Sequence, residues 1–392
     1  MLNPSKHHAL CIAASLLVAC GDPPDDDEPP VETDTEQVCD DGAPAYELSV
    51  DRHVTQTGPT GNDIAADDEA LFVVESDGNT VSRFDLTDDR MDQGFVTVGA
   101  ERNPYSVDVD GDEIWVTNLL AETVTVADAD DGEIIDELDD ELYGPSSIAL
   151  SDDYAYVGNV EFLGVDEGYG PGSITVIDRA SREVASRFET AFQNPHFITI
   201  EELDGQKVLL VSGSGEVIWD GERTNVESEG GLEWLDVHDD PVEPDSHAFA
   251  IDQQQLQTVG APSRAHPSPD ESALYFVSGI APVLFVFDVD EMQWRHDATD
   301  PIELYEANGD TTHRASMGPD GLLWITAYNE DQLHLLDTAC DEPVVDPVDL
   351  GEHGDMLEGA QAIEVVERGE TIEGFYLLSA AGSMGSVQLR RH

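Results

Sequence analysis

The sequence predicts an all-β fold, a seven-bladed β-propeller closed by pairing an N-terminal strand with the C-terminal blade. Three observations carry this prediction. One pattern of short apolar strands recurs seven times, most copies have an aspartate at the end of the third strand, and the last copy stops one strand early. A repeat of about fifty residues suits four strands per unit and a radial arrangement of the units.

Each unit opens with proline or a small residue, followed by two mostly polar positions and an apolar strand. Turns rich in Asp and Gly then lead into a second apolar strand, a pattern typical of hairpins. The clearest openings lie at Pro104, Pro145, Pro195 and Pro262, and weaker ones lie at Gly61, Thr312 and Ala360.

The third strand of most units ends in aspartate. A carboxylate that recurs at one point of a structural repeat is expected to accept hydrogen bonds from the backbone N–H groups of the following turn. We therefore predict a structural role for these residues and no catalytic one. They are Asp85, Asp128, Asp178, Asp236, Asp288 and Asp337.

The two ends of the chain complete each other. The seventh unit lacks a fourth strand, and residues 46–58 have the alternation and length of one and lead directly into the first unit. Pairing them removes exposed sheet edges. Cys39 precedes this strand and Cys340 lies in the sixth unit, so in an oxidising compartment we expect a disulfide between them.

The N-terminal residues have the features of an export signal. Residues 1–19 form a signal peptide, because their apolar run is too short to span a bilayer of about 30 Å. The run ends in Leu17-Val18-Ala19-Cys20, which resembles a bacterial lipobox with Cys20 as the lipidation site. An ordinary secretion signal is the alternative.

The acidic, proline-rich residues 20–44 are expected to form an extended tether, and residues 45–392 the propeller domain. The predicted location is the cell envelope, as an outer or inner membrane lipoprotein that faces the periplasm or the cell surface. We expect a monomer held to the membrane through the lipid anchor on Cys20.

The charge balance excludes one class of partner. The chain carries 85 Asp and Glu against 16 Lys and Arg, a formal net charge of -69. Such a field repels phosphate backbones, so no nucleic acid partner is expected. The near absence of lysine suggests adaptation to salty surroundings, where ions screen the repulsion.

One stretch carries a family likeness. Residues 154–159 read YAYVGN and are followed by SITVIDRASREVASRFET and then Asn194-Pro195, and IWVTN at residues 114–118 begins a second copy. The chain resembles the YVTN-type β-propeller family. That resemblance implies an exported propeller, similar to surface-layer, periplasmic and redox-associated members, and it carries no specific reaction.

The two positions after each unit's opening residue are expected to ring one mouth of the central channel. Arg264 and Arg314 fall at equivalent positions of neighbouring units, in a chain with few cations. The ring reads Asn62-Asp63, Tyr105-Ser106, Ser146-Ser147, His196-Phe197, Ser263-Arg264, His313-Arg314 and Gln361-Ala362.

Three interpretations of this ring stay open. A small anionic or carbonyl-bearing ligand would use Arg264 and Arg314 as bidentate donors, with His196, His313, Asp63 and Tyr105 around it. Alternatively the arginines only pair with the surrounding carboxylates and stabilise the ring. A divalent metal ion is the third option, with candidate ligands Asp63, Asn118, Asn159, His196, His266 and His313.

Two long loops point to the same face. Residues 160–172 and 214–231 separate second from third strands, and Tyr169, Trp219 and Arg223 could form contacts there. No strong catalytic motif is present. The sequence therefore favours a binding or scaffold protein for a small molecule or a protein partner. The alternatives are a metal-dependent, lactonase-like hydrolase and a periplasmic redox or metal accessory protein.

Overall fold

The computed structural model describes residues 46–164, 168–219, 224–238, 240–251, 256, 259–305, 313–351 and 357–391. Their strands form seven antiparallel sheets of four or five strands, which are the blades of a β-propeller, and two separate two-stranded hairpins. This arrangement confirms the predicted fold class. The predicted signal peptide, Cys20 and the tether lie outside the described residues. No helix within the described ranges is long and apolar enough to cross a membrane.

The first three blades follow one another along the chain. An N-terminal strand, β1 (Tyr46–Gln56), precedes blade 1, which contains β2 (Gly61–Ala66), β3 (Ala70–Glu75), β4 (Thr80–Asp85) and β5 (Arg90–Thr97). Blade 2 contains β6 (Pro104–Asp110), β7 (Glu113–Asn118), β8 (Thr123–Asp128) and β9 (Ile134–Leu138). Blade 3 contains β10 (Pro145–Leu150), β11 (Tyr154–Asn159), the hairpin β12 (Phe162–Gly164) and β13 (Gly168–Tyr169), β14 (Ser173–Asp178) and β15 (Glu183–Glu189).

The second half follows the same plan. Blade 4 contains β16 (Pro195–Leu203), β17 (Gln206–Gly213), the hairpin β18 (Val217–Trp219) and β19 (Thr224–Val226), β20 (Gly230–Asp236) and β21 (Asp245–Ile251). Blade 5 contains β22 (His266–Pro267), β23 (Ala273–Val277), β24 (Val283–Asp288), β25 (Gln293–His296) and β26 (Ile302–Glu303). Blade 6 contains β27 (His313–Met317), β28 (Leu322–Ala327), β29 (Gln332–Asp337), β30 (Glu342–Pro343) and β31 (Val348–Asp349). Blade 7 contains β32 (Ala360–Arg368), β33 (Thr371–Leu378) and β34 (Ser383–Arg391).

Blade 7 takes its outer strand from the other end of the chain. Strand β1 pairs antiparallel with β34, from Tyr46 opposite Arg391 to Gln56 opposite Ser383. Its inward side chains, such as Leu48, pack against the apolar layer between blades 6 and 7. Cys340 is disulfide-bonded. Its predicted partner, Cys39, lies outside the described residues, so that pairing stays a prediction.

The aspartates at the ends of the third strands cap the turns that follow. The Oδ1 atom of Asp85 accepts hydrogen bonds from the backbone N–H groups of Thr87 and Asp88, at 2.8 and 2.9 Å. These bonds hold the pKa of Asp85 below its usual value. The predicted structural role is confirmed, because backbone N–H groups of the following turn also donate to Asp128, Asp178, Asp236, Asp288 and Asp337.

The hydrophobic core consists of apolar layers between neighbouring blades. Blades 4 and 5 share the largest layer, in which Phe285 and Phe287 are fully buried. Between blades 6 and 7, the Trp324 indole lies so close to Gly374 that a Cβ atom there would be 2.7 Å from it. Only glycine allows this approach, which lets the two blades pack closely.

Blade 5 departs from the expected pattern at its first strand. A full strand from Pro262 is predicted, but β22 covers only His266–Pro267, and Pro262 forms a single bridge with Ser278. The residues between Pro262 and His266 belong to no strand, although the Ser263 N–H still donates to the Val277 carbonyl at 3.0 Å. The fourth positions of blades 5 and 6 are also divided, since two short strands there pair with one third strand.

Candidate ligand site in the channel

The first strands of the blades surround a central channel, and contacts between distant blades identify the side chains that reach into it. Asp63 of blade 1 contacts Arg264 of blade 5, and Tyr105 of blade 2 contacts His196 of blade 4. Blades 1 and 5 are not neighbours, and neither are blades 2 and 4. The side chains of each pair therefore meet across the channel.

Two rings of side chains follow from the alternation of a strand, in which every second residue faces the same side. We define the mouth layer as the positions two residues after each unit's opening residue and the inner layer as the positions two residues further on. The mouth layer is Asp63, Ser106, Ser147, Phe197, Arg264, Arg314 and Ala362. The inner layer is Ala65, Asp108, Ala149, Thr199, His266, Ser316 and Glu364.

Asp63 organises one side of the mouth layer. Its Oδ2 atom accepts a hydrogen bond from the Ser106 hydroxyl at 2.6 Å and a weaker one from the Val107 N–H at 3.3 Å. The same oxygen lies 3.6 Å from Nη2 of Arg264. Arg264 thus has a carboxylate partner, as the stabilising interpretation expects, while its side chain remains 32% exposed.

Tyr105 and His196 form a hydrogen-bonded pair on the other side. The Tyr105 hydroxyl lies 2.7 Å from Nε2 of His196, and the two rings meet edge to face. Burial, together with the charge of Arg314, lowers the pKa of His196 to about 3. Burial raises the pKa of Tyr105. Both groups are therefore uncharged at neutral pH and offer polar atoms without adding charge.

Arg314 places a second cation in the mouth layer. Its guanidinium lies over the Phe197 ring, 4.8 Å from the ring centroid, an arrangement that combines cation–π attraction with a fixed orientation. Burial lowers the pKa of Arg314, while Tyr105 and Asp63 oppose that shift. An arginine nevertheless stays protonated at neutral pH. The channel therefore holds a partly dehydrated positive charge.

Carboxyl groups lie deeper in the channel. Burial raises the pKa of Glu364 to about 7, and it raises that of Asp108 to about 6. Asp108 is nevertheless well bonded, because its two oxygens accept from the N–H groups of Val109 and Leu150. Burial likewise raises the pKa of Glu201, which follows the inner layer by two residues, to about 7. The charge of Arg264 opposes all three shifts.

His266 belongs to the same inner layer. Its side chain is 8% exposed, and its Nε2 atom has no hydrogen-bond partner among the described residues. Burial lowers the pKa of His266 to about 3. The Ser263 hydroxyl, near the mouth of the same blade, also lacks a partner within the described part of the chain. Blade 5 thus presents two buried polar atoms that neighbouring side chains do not satisfy.

The metal candidates are not brought together. The Nδ2 atoms of Asn118 and Asn159 donate to threonine hydroxyls inside their own blades, and both side chains are fully buried. Across the ranges that the structure describes, no three His, Cys, Asp or Glu residues form a group that could hold a metal ion. The side chain of His313 lies outside the described part of the chain, so the metal hypothesis stays a prediction.

The long loop of blade 3 covers part of the mouth. Tyr169, from the hairpin β12–β13, packs against Tyr105, and burial raises its pKa to about 12. Its backbone carbonyl accepts a hydrogen bond from Gln193 at 3.0 Å. In the loop of blade 4, the Trp219 side chain and Arg223 lie outside the described part of the chain.

The inner carboxyl groups are absent from the sequence-based site. Asp108, Glu201 and Glu364 stand in first strands without a motif. Alternation was the available signal, because Asp108 and Glu364 follow the mouth positions by two residues and face the same side.

A separate cleft of about 300 Å³ lies between blades 3 and 4, beside Lys207 and His238.

Comparison with known proteins supports the fold. No protein-family model and no curated protein matches the chain. The chain is similar in structure to virginiamycin B lyase from Staphylococcus aureus, with 15% identity, a TM-score of 0.61 and coverage of 88% of this chain and 99% of that one. A streptogramin B lyase structure has 14% identity, a TM-score of 0.62 and coverage of 88% and 98%.

Kuenenia stuttgartiensis hydrazine synthase is also similar, with 16% identity, a TM-score of 0.60 and coverage of 85% of this chain and 96% of the other. The structural neighbours thus include both lyases and a hydrazine synthase, which are different kinds of enzyme. At such identities the likeness establishes the fold alone, and that fold is the seven-bladed β-propeller.

Proposed function

We propose that this protein is an exported, lipid-anchored binding protein, whose propeller channel holds a small molecule through a carboxylate or another anionic or carbonyl group. One observation carries the proposal. Arg314 lies over Phe197 in the mouth layer, beside the uncharged Tyr105–His196 pair. A guanidinium held in a fixed orientation in a partly dehydrated place suits the recognition of a carboxylate.

The strongly negative charge of the protein makes the presence of two arginines in one channel more significant. With a formal net charge of -69, the surface repels anions, so an anionic ligand needs a local concentration of cations. The charge of Arg264 contributes to lowering the pKa of Arg314, as expected for two cations in the same channel. Tyr105 and His196 add neutral hydrogen-bonding atoms that can orient the ligand.

Calorimetric titration with acetate, pyruvate, pentanoate and succinate tests the proposal. Arg314→Ala should weaken binding of the best of these at least tenfold, because a hydrogen bond to a charged group contributes about 1.5–3 kcal/mol. Arg90→Ala removes an exposed arginine from the outer strand of blade 1 and serves as the matched control. Equal affinity of the parent and Arg314→Ala would refute the site.

The location of the protein at the cell envelope is part of the same proposal. The lipobox at Cys20 and the YVTN-type resemblance support a lipoprotein that the tether holds off the membrane surface at the cell envelope. Cys20→Ser should move the protein from the membrane fraction to the soluble fraction and abolish labelling by a palmitate analogue. Unchanged labelling of Cys20→Ser would refute the anchor.

An enzyme is the second candidate. The observation that favours it is the group of three carboxyls around Arg264, since Asp108, Glu201 and Glu364 have pKa values of about 6 or 7. Groups that titrate near neutral pH are suited to general acid–base chemistry. A metal-dependent, lactonase-like hydrolase is the form this enzyme would take, and a periplasmic redox or metal accessory protein is a third candidate.

Metal analysis and a lactone substrate panel separate the candidates. A stoichiometric divalent ion with turnover lost in Glu364→Gln would favour the enzyme. Stoichiometric metal without turnover would favour the accessory protein.

A further inference from the structure

We propose that the ligand of the channel is a small zwitterion, with its anionic group beside Arg314 in the mouth layer and its ammonium group beside Glu364 and His266 in the inner layer. This inference rests on the proposed function and adds the chemical class of the ligand. Its basis is a mismatch between the carboxyl groups and the cations that line the channel.

The carboxyl groups outnumber the cations. Asp63, Asp108, Glu201 and Glu364 interact electrostatically with Arg264, and Arg314 is the other cation of the mouth layer. The imidazoles of His196 and His266 are neutral at pH 7. With every carboxyl ionised, this group carries two more negative than positive charges. A cationic group of a ligand would compensate that excess.

Glu364 is the carboxyl that remains available. Asp63 accepts from Ser106 and Asp108 from two backbone N–H groups, while Glu201 accepts from the Thr199 hydroxyl at 2.9 Å. The Glu364 side chain accepts no hydrogen bond from the residues that the structure describes, and it is partly buried. An ammonium group has three N–H donors and would supply the hydrogen bonds that this carboxylate lacks.

His266 supplies the second, independent observation. It shares the inner layer with Glu364, and its Nε2 atom is buried without a partner in the described part of the chain. Buried polar atoms usually have hydrogen-bond partners, so this unmet atom, two residues from Arg264, is a candidate for contact with a ligand. A neutral imidazole can accept a hydrogen bond from an ammonium N–H without repelling its charge.

The spacing of the layers sets the length of the ligand. The mouth and inner positions are two residues apart, and where both lie in one first strand, the rise of about 3.3 Å per residue separates them by about 7 Å. The two charges of the ligand should therefore be separated by about that distance. Linear ω-amino carboxylates of four to six carbons meet this requirement.

The test compares 5-aminopentanoate with pentanoate and pentylamine by calorimetric titration near pH 8, where both Glu364 and the amine are charged. The parent protein should bind 5-aminopentanoate at least tenfold more tightly than pentanoate. Glu364→Gln should reduce that preference to less than threefold. Glu367→Gln, an exposed glutamate of the same strand, is the matched control and should keep the preference. Cooperative unfolding of both variants, well above the temperature of the titration, excludes a folding defect.

The outcomes separate the two proposals. If pentanoate binds as tightly as 5-aminopentanoate, and Arg314→Ala weakens both, the zwitterion is wrong and the anionic site stands. If Glu364→Gln keeps the full preference for the amine, the placement of the ammonium group is wrong. If Arg314→Ala leaves both affinities unchanged, or none of the three compounds binds, the proposed function itself is contradicted.

Discussion

Glu364→Gln removes one carboxyl from the inner layer and keeps its shape, so it isolates the effect of burying that charge. The pKa of Glu364 is about 7 in the folded protein, against about 4.5 for an ordinary glutamate. Because the folded state holds this proton more tightly, its stabilising contribution is complete below pH 4.5 and is lost as the pH rises to about 7. Glutamine does not titrate and should show no such loss.

The size of the expected change in melting temperature follows from the difference between these two pKa values. A difference of about 2.5 pKa units corresponds to about 3 kcal/mol of unfolding free energy. For cooperative unfolding of about 350 residues, with an entropy of about 2.1 cal/mol/K per residue, this equals about 4 °C in melting temperature. The melting temperature of Glu364→Gln relative to the parent should therefore rise by about 4 °C between about pH 4.5 and 8.

Scanning calorimetry at constant ionic strength measures this difference. Subtracting the parent removes groups that titrate in both proteins, such as His196 and His266, whose lowered pKa values act in the opposite direction. Glu367→Gln on the exposed side of β32 should give a difference that does not vary with pH. A flat difference for Glu364→Gln as well would refute the burial of this carboxyl and the layered site built on it.

Three further predictions concern the fold. Leu48→Asp should lower the unfolding free energy by about 2–3 kcal/mol, because Leu48 packs between blades 6 and 7, whereas Ser49→Asp on the exposed face of β1 should change it by less than about 0.5 kcal/mol, as chemical denaturation would show. Gly132→Ala should lower the melting temperature more than Gly111→Ala, since both residues have positive φ but only a Cβ at Gly132 would collide with the Phe95 carbonyl oxygen; equal effects would contradict this. The melting temperature should rise as NaCl is added to about 1 M, because ions screen the repulsion within a chain of net charge -69, and a flat or falling curve would count against that interpretation.

Much of the fold is readable from the sequence because the same short-range chemistry recurs in every unit. The aspartate at the end of most third strands predicts a capped turn, and Asp85 and its counterparts form one. The N-terminal strand was identified by its alternation and by the strand missing from the last unit, and β1 pairs with β34. Blade 5 departs from the pattern between Pro262, which pairs only through a single bridge, and the short strand β22.

The site was only partly predictable, because it depends on contacts between residues far apart in the chain. Unit positions identified Arg264, Arg314 and His196 as residues of one ring. They did not reveal that Arg264 pairs with Asp63 or that Arg314 lies over Phe197, since such choices depend on distances across the channel. The inner layer was missed because single acidic residues in a chain this acidic do not stand out.

The most direct test of the channel as the binding site is the position of a bound carboxylate. Crystals grown with 4-bromobenzoate, measured at the bromine absorption edge, would locate the ligand by anomalous scattering. We predict a peak inside the ring of first strands, with the carboxylate against Arg314, and no such peak in crystals of Arg314→Ala. A peak found only outside the channel, for example in the cleft beside Lys207, would contradict the account.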